Sequence, residues 1–220
     1  MSLEIGLEKE KLRDKFLQLR KALSKPERLT KDGIIAHKLA RLLHHAHANP
    51  SQPLKFGAYV PFEDEVNPFL ELLRILEEKH IRYELAVPFF KTKPRHFKFL
   101  KPTSIQQFKS FMQDTQGVDA WVCHTSLWTE SNTQTIPYWV IPGICFSKDG
   151  KRIGFGSGFY DEWLAGQPGL FIGVAYDVQI IETITPEPFD IPMDVVLTEY
   201  HTYIRPEAIS EYPGLLSGLK

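Results

Sequence analysis

The sequence predicts a single α/β domain built as three layers, with helices on both faces of a mostly parallel central sheet. Three observations predict it. Short apolar runs closed by proline alternate with segments of helical period, the pattern of parallel strands joined by crossover helices. The chain has 220 residues, the size of one large domain, and can bury roughly 70% of the surface its unfolded form would expose. No internal repeat or low-complexity linker divides it, so residues 1–220 are read as one unit.

The N-terminal helices are placed within residues 7–47. Leu12, Phe16, Leu19 and Leu23 recur every three or four residues, marking one face of a helix over Leu7–Leu23. Ser24, followed by Pro26 and Glu27, reads as the N-cap of a second helix that carries Ile34, Ile35, Leu39, Leu42 and Leu43. Asn49–Pro53 ends that helix. Lys55–Val60 is the first expected strand, closed by Pro61. Helical period returns over Val66–His80, and Tyr83–Val87 is a second strand, ended by Pro88. A short helix is expected at Ser104–Met112. Ala120–Cys123, Tyr138–Ile141, Leu170–Ala175 and Val195–Thr198 are four further candidate strands, and Asp161–Leu164 lies on a helix after a glycine cluster. The tail, 201–220, has no clear period.

Composition narrows the function classes. Lys and Arg total 26 against 27 Asp and Glu, a formal net charge of −1. Such a chain has no global field to hold nucleic acid or an anionic membrane, so any bound anion needs a local site. Two cysteines, Cys123 and Cys145, argue against a disulfide scaffold and a cysteine zinc site. The charged start, MSLEIGLEKEKLRDK, is unlike a signal peptide. The longest apolar run, Tyr138–Phe146, is interrupted by Pro142 and Gly143 and falls short of the ~20 residues that span a bilayer. The expectation is a soluble cytoplasmic protein, a monomer or weak homo-oligomer with small-molecule partners and neither nucleic acid nor membrane.

The segment 151–161 carries the chemistry. It runs KRIGFGSGFYD, with Gly154, Gly156 and Gly158 at alternate positions before a helix. Glycines let backbone N–H groups approach a ligand, and successive N–H groups suit phosphate. The spacing is neither the Walker pattern nor the dinucleotide fingerprint. By itself such a cluster reads equally as a structural turn. Lys151 and Arg152 beside it are placed to meet phosphate oxygens, and Asp161 at the helix start is a candidate ligand for a divalent ion. Downstream, PEPFDIPMDVVLTE holds Asp190 and Asp194 around a proline-broken turn. Asp190 reads as a turn cap.

The run PGICFSKDGKRIGFGSGFYDEWL, with IGVAYDVQ and the PEPFD and MDVVLTE segments, resembles the 5-formyltetrahydrofolate cyclo-ligase family. That family has an Arg-Leu-Gly-x-Gly-x-Gly-Tyr-Tyr-Asp core. The likeness is strong over about residues 137–200 and looser in the N-terminal half. It implies the ATP-dependent conversion of 5-formyltetrahydrofolate to 5,10-methenyltetrahydrofolate, with ADP and phosphate released. It implies ATP contacts at Lys9 and Arg13, which lie four apart on one helix face, and at Arg152, Gly154, Phe155, Gly156, Ser157, Gly158, Phe159 and Tyr160. Arg152 and Lys9 take the catalytic, charge-neutralising roles. Val60, Glu65 and Phe159 are implied to contact the folate, and Asp161 and Asp194 to ligate Mg²⁺. Without the resemblance, Lys9 and Arg13 read as a solvated charged face.

The sequence also departs from the family. Ser157, Phe159, Glu162 and Phe189 replace its usual residues, and its Glu/Gln-Pro segment is not recognisable in HTSLWTESNTQTIPYW. The alternative this leaves is a diverged member that binds nucleotide or folate without turnover, or acts on another formylated molecule. Three further features read as structural. His44, His45 and His47 suit a solvated helix end; the basic aromatic stretch Lys91–Lys101 suits a strand with a charged face or a wall for the folate tail. Cys123 and Cys145 read as buried thiols. Among the tryptophans, Trp121 or Trp128 is offered for the pterin pocket and the rest for the core.

Overall fold

The structure is a computed structural model; it describes residues 2–47, 49–90, 97–102, 106, 108–109 and 128–212. Two long helices open it, α1 (Ser2–Lys21) and α2 (Lys25–Ala46). Ser24 caps α2 as expected: its hydroxyl accepts from the Glu27 N–H, and the Glu27 carboxylate accepts from the Ser24 N–H at 2.8 Å. The strands are β1 (Leu54–Gly57), β2 (Tyr83–Phe90), β3 (Phe97–Pro102), β4 (Trp128–Glu130), β5 (Tyr138–Ile141), β6 (Cys145–Ser147), β7 (Arg152–Ile153), β8 (Leu170–Val174), β9 (Ile180–Ile181), β10 (Val195–Leu197) and β11 (Thr202–Ile204). Helix α3 (Phe69–Glu78) joins β1 to β2, α4 (Phe159–Leu164) follows β7, and α5 (Pro206–Glu211) follows β11.

Eight strands form one sheet in the order β11-β10-β8-β5-β1-β2-β3-β4. The five from β10 to β2 are parallel, and the outer pairings, β11 with β10, β3 with β2 and β4 with β3, are antiparallel. Chain order runs from β1 to β2 in one direction and from β5 to β8 to β10 in the other. The switch point therefore lies between β1 and β5, where open α/β sheets leave a crevice beyond the strand ends. A second, three-stranded sheet has the order β7-β6-β9.

Both faces of the main sheet are covered, and for that reason β5 and β8 read as nearly continuous apolar runs. Tyr138 and Val140 join one core with Ile35, Leu39 and Leu43 of α2 and Phe69, Leu72 and Leu76 of α3. Trp139 and Ile141, pointing the other way, join a second core with Phe146, Leu164 and Val196. Trp139 sits against the backbone of its neighbour strand: a Cβ on Gly57 would lie 1.9 Å from its ring. Its indole N–H donates to the Pro168 carbonyl at 3.2 Å. Leu12 and Phe16 of α1 pack with Ile144, Cys145, Ile153 and Ile184 on the small sheet. The three-layer α/β expectation is met.

Some boundaries moved. The first strand stops at Gly57 rather than Val60, because Tyr59 turns away and its hydroxyl donates to the Val66 carbonyl. The second strand continues through Pro88 to Phe90. There β1 has already ended, so Pro88 lies on an edge that requires no N–H, and β3 pairs on the other side. The tail expected to lack period holds β11 and α5. Only Gln106, Phe108 and Lys109 of the expected 104–112 helix are described, and they are helical. The expected strand Ala120–Cys123 lies outside the described residues.

Helix α1 carries a stripe of Lys9, Arg13, Phe16 and Arg20, spaced four, three and four apart, on its inward side. Lys9 is 5% exposed and Arg20 2%. Arg20 Nη2 donates to Asp64 Oδ1 at 2.9 Å, fixing α1 to the loop between β1 and α3. Arg20 Nε and Asp64 Oδ2 are also buried and have no hydrogen-bond partner among the described residues. Replacing Asp64 by Ala is expected to cost about 3 kcal/mol in urea unfolding, since it leaves a buried charge unpaired. The double change Arg20→Met with Asp64→Leu should recover most of that loss; a cost for Asp64→Ala within experimental error would show that the pair is not buried.

Asp32 of α2 accepts from the Asn67 N–H at 3.1 Å and from the Tyr176 hydroxyl at 2.9 Å, tying α2 to the end of β8. Burial pushes its carboxyl up to about 6, against the opposing pull of those two hydrogen bonds. The native state then binds more protons than the unfolded chain between about pH 4 and pH 6, and stability falls as pH rises through that window. Asn at position 32 keeps an oxygen for both hydrogen bonds. Asp32→Asn should therefore flatten the pH profile of thermal unfolding across that window and stabilise the protein above it. An unchanged profile would place the titration elsewhere.

Candidate functional site

A cleft of about 240 Å³ opens where the switch point predicts one. Pro142 and Gly143, directly after β5, line it, as does Glu65 from the loop after β1. The glycine loop from Gly154 to Gly158 forms much of its wall, and α1 contributes Lys9 and Arg13. Thus the N-terminal helix, two sheet-edge loops and the segment 152–161 meet in one place.

The cationic groups are aimed by specific partners. Arg152 is buried on β7, and its Nη2 donates to Asp161 Oδ2 at 2.8 Å. Its guanidinium lies 5.4 Å from the Tyr160 ring centroid. Arg152 Nε is buried and has no hydrogen-bond partner among the described residues, which leaves it a donor beside the cleft. Arg13 Nε donates to the Gly154 carbonyl at 2.9 Å, which holds the loop against α1. Lys9 Nζ donates to Glu187 Oε2 at 2.7 Å and to Asp190 Oδ2 at 2.6 Å. Burial alone would lower the pKa of the Lys9 ammonium. The two carboxylates outweigh that effect and hold it above its ordinary value.

Two glycines are required by this geometry. Gly156 has φ +92° and lies beneath the Arg13 guanidinium, whose Cζ would sit 3.3 Å from an added Cβ. A Cβ at Gly154 would lie 2.6 Å from Arg152 Nη1. A Cβ at Gly154 would displace the end of Arg152, and one at Gly156 would crowd Arg13 and strain a left-handed backbone.

Acidic and aromatic groups complete the lining. Asp161, in the first turn of α4, also accepts from the Ile191 N–H at 3.2 Å through Oδ1. Glu65 is buried and accepts from the Phe62 N–H at 3.0 Å; burial raises its pKa more than that bond and the Arg20 charge lower it. The Tyr160 phenol is held above its usual value, first by desolvation and then by the charge of Glu65, so it stays a protonated donor. Phe159 stands edge-on to Tyr160 at 5.4 Å, and Phe155 is exposed.

Measured against the sequence reading, Lys9, Arg13, Glu65, Arg152 and every residue from Gly154 to Asp161 line this one cleft. Lys9 is not the solvated residue that the bare spacing suggests. Asp194 is not among the lining residues. It precedes β10, where Oδ1 accepts from Arg205 at 2.6 Å and Oδ2 from the Phe171 N–H at 2.8 Å. Val60 packs against the α2–α3 core instead of the cleft. Lys151 reaches Asp149 at 2.7 Å, because the β6–β7 turn points it away.

The sequence reading missed Glu187 as a cleft residue. It took Asp190 as a turn cap, and Asp190 Oδ2 does accept from the Glu187 N–H at 2.8 Å, but the same oxygen also receives Lys9. Nothing in PEPFD indicates which distant cation its carboxylates reach. His45 Nδ1 and His47 Nε2 face the Arg41 and Gln52 carbonyls, and among the described residues no three His, Cys, Asp or Glu form a metal cage. Burial pushes the Cys145 thiol up to about 12, leaving it inert. Trp163 packs edge-on against Trp139 in the core at 4.5 Å; Trp121 and Cys123 lie outside the described residues.

Comparisons with known proteins agree on one family. The sequence profile of the 5-formyltetrahydrofolate cyclo-ligase family matches residues 6–199. A 5-formyltetrahydrofolate cyclo-ligase of Mycoplasma pneumoniae is 29% identical over 202 residues, covering 88% of this chain and 99% of that protein. One from Mycoplasma genitalium is 40% identical over 70 residues, 31% of this chain and 42% of that protein. Among solved structures, the 5,10-methenyltetrahydrofolate synthetase of Aquifex aeolicus superposes with a TM-score of 0.63 at 27% identity, covering 90% of this chain and 93% of that one. The synthetase of Mycoplasma pneumoniae, at 23% identity and a TM-score of 0.66 over 87% and 98% of the two chains, shares the fold. With a profile match running from α1 to the end of β10, the chain belongs to the 5-formyltetrahydrofolate cyclo-ligase family.

Proposed function

We propose that this chain converts 5-formyltetrahydrofolate to 5,10-methenyltetrahydrofolate, consuming ATP and releasing ADP and phosphate. The observation that supports this is the meeting of Lys9, Arg13 and Arg152 with the glycine loop in a single cleft that also presents Glu65. In the proposed reaction the formyl oxygen attacks the γ-phosphorus and ADP leaves. N10 then adds to the activated formyl carbon, loses its proton, and the phosphate departs as the ring closes. Phosphoryl transfer of this kind needs positioning and charge neutralisation more than an acid or base.

The residues are suited to those needs. Lys9, Arg13 and Arg152 would neutralise the triphosphate, and the backbone N–H groups of the Gly154–Gly158 loop that lines the cleft are donors for its oxygens. Arg152 Nε supplies a donor, and the Tyr160 hydroxyl another. Phe155 and Phe159 offer stacking faces. Glu65, raised by burial, is assigned to the folate, where its carboxyl can hold or release a proton at the pterin edge. Mg²⁺ usually keeps several waters and takes one or two carboxylates with substrate phosphates, and Asp161 fits that donor set; bound there, the ion would neutralise phosphate charge. Asp194 does not fit it, since it lies outside the cleft and is tied to Arg205 and the Phe171 N–H, whereas Asp161 lines the cleft and would turn to the ion the oxygens now held by Arg152 and the Ile191 N–H. No described helix is long and apolar enough to cross a membrane, and the cytoplasm is the location we propose.

Mixing the protein with MgATP and 5-formyltetrahydrofolate should produce the near-ultraviolet absorbance of the methenyl product together with ADP. Calorimetric binding of MgATP with no absorbance change would overturn turnover and leave a binding protein. Arg152→Met should lower kcat/KM by about 100-fold, the scale of losing one preorganised donor to developing charge. Asp161→Asn should raise the Mg²⁺ concentration needed for half-maximal rate, and an unchanged requirement would remove Asp161 as a ligand.

A further inference from the structure

The ammonium assigned to the nucleotide phosphates is already paired with two carboxylates. We propose that Glu187 is an exchangeable counter-ion for Lys9, displaced when phosphate enters, while Asp190 stays in place and keeps the amine aimed into the cleft. This assignment rests on the ATP reading above.

The two carboxylates differ in how firmly they are held. Asp190 Oδ2 accepts both Lys9 Nζ at 2.6 Å and the Glu187 N–H at 2.8 Å, and the Asp190 N–H closes the same turn on the Glu187 carbonyl at 3.1 Å. Its side chain is 20% exposed. Moving it would break the turn. Glu187 has a side chain 41% exposed, and among the described residues Lys9 is the one group that bonds its carboxylate. An ion pair with one end in solvent is weak and costs little to open.

Lys9 itself cannot follow Glu187 outward. Its side chain is 6% exposed, and α1 is fixed by the Arg20–Asp64 pair about three turns further along. An anion approaching Lys9 therefore meets a site carrying one more negative charge than positive. Removal of Glu187 brings that site to neutrality, and the phosphate takes its place on Nζ. Asp190 alone then balances Lys9, which keeps the ammonium charged and directed throughout.

The test is calorimetric titration of the full chain with MgATP, without folate. Glu187→Gln should bind MgATP about fivefold more tightly than wild type, the equivalent of one partly exposed ion pair. Glu187→Ala should tighten binding likewise, a gain that mere loss of structure would not produce. In a Lys9→Met background, where there is no ammonium to compete for, the added Glu187→Gln change should have no further effect. Equal or weaker binding by both Glu187 variants overturns the proposal. So does tightening that persists undiminished in the Lys9→Met background, which would make it a general charge effect. Failure of the wild-type chain to bind MgATP overturns the ATP reading itself.

Discussion

Everything in the cleft depends on a buried guanidinium. Arg20 lies inside the fold, and Asp64 is the carboxylate set against it. The pair joins α1, which carries Lys9 and Arg13, to the loop that carries Glu65. Interior ion pairs of this kind add little net stability because desolvation cancels most of the Coulombic gain. Their effect is on geometry. One register of α1 satisfies Arg20, and that register turns Lys9 and Arg13 inward instead of leaving them on a solvated face.

The same rule governs each charge around the cleft. Lys9 faces Glu187 and Asp190, Arg152 faces Asp161, and Arg13 faces a backbone carbonyl. The near-zero net charge of the chain is thus repeated locally, with cations concentrated but individually held. Once Glu187 has given way to an entering phosphate, an array held in this manner needs no further rearrangement as charge develops on a substrate, which is the condition for strong electrostatic stabilisation. It also explains why the glycine loop is so constrained: Gly154 and Gly156 leave space for two arginines rather than for a flexible turn.

Much of this was legible in sequence, for identifiable reasons. Local signals were faithful. The Ser24–Glu27 capping box, the apolar β5 and β8, and the alternate glycines each rest on backbone geometry within a few residues. Lys9 and Arg13 were legible only through family resemblance, since helical spacing cannot tell an inward charged stripe from an outward one. What sequence spacing could not carry was pairing across the chain. Asp194 resembled a metal ligand by position in its motif, yet Arg205, eleven residues later in a tail without periodicity, takes it up. Asp190 looked like a turn cap and Glu187 carried no signal at all, because their partner is 181 and 178 positions away. Strand β2 overran Pro88 because an edge, invisible in sequence, excuses the missing N–H.

Those separations have a consequence for how the protein is made. Synthesis runs from α1 to the C-terminal strands, so Lys9, Arg13 and Arg20 emerge first. Arg20 can find Asp64 after 44 residues, but Arg13 waits 141 and Lys9 nearly the whole chain for theirs. The Arg20–Asp64 contact is thus the first of these that the growing chain can form, and the Lys9 contacts that complete the cleft are the last. A chain still attached to the ribosome therefore carries Lys9 well before Glu187 and Asp190 exist to take up its amine.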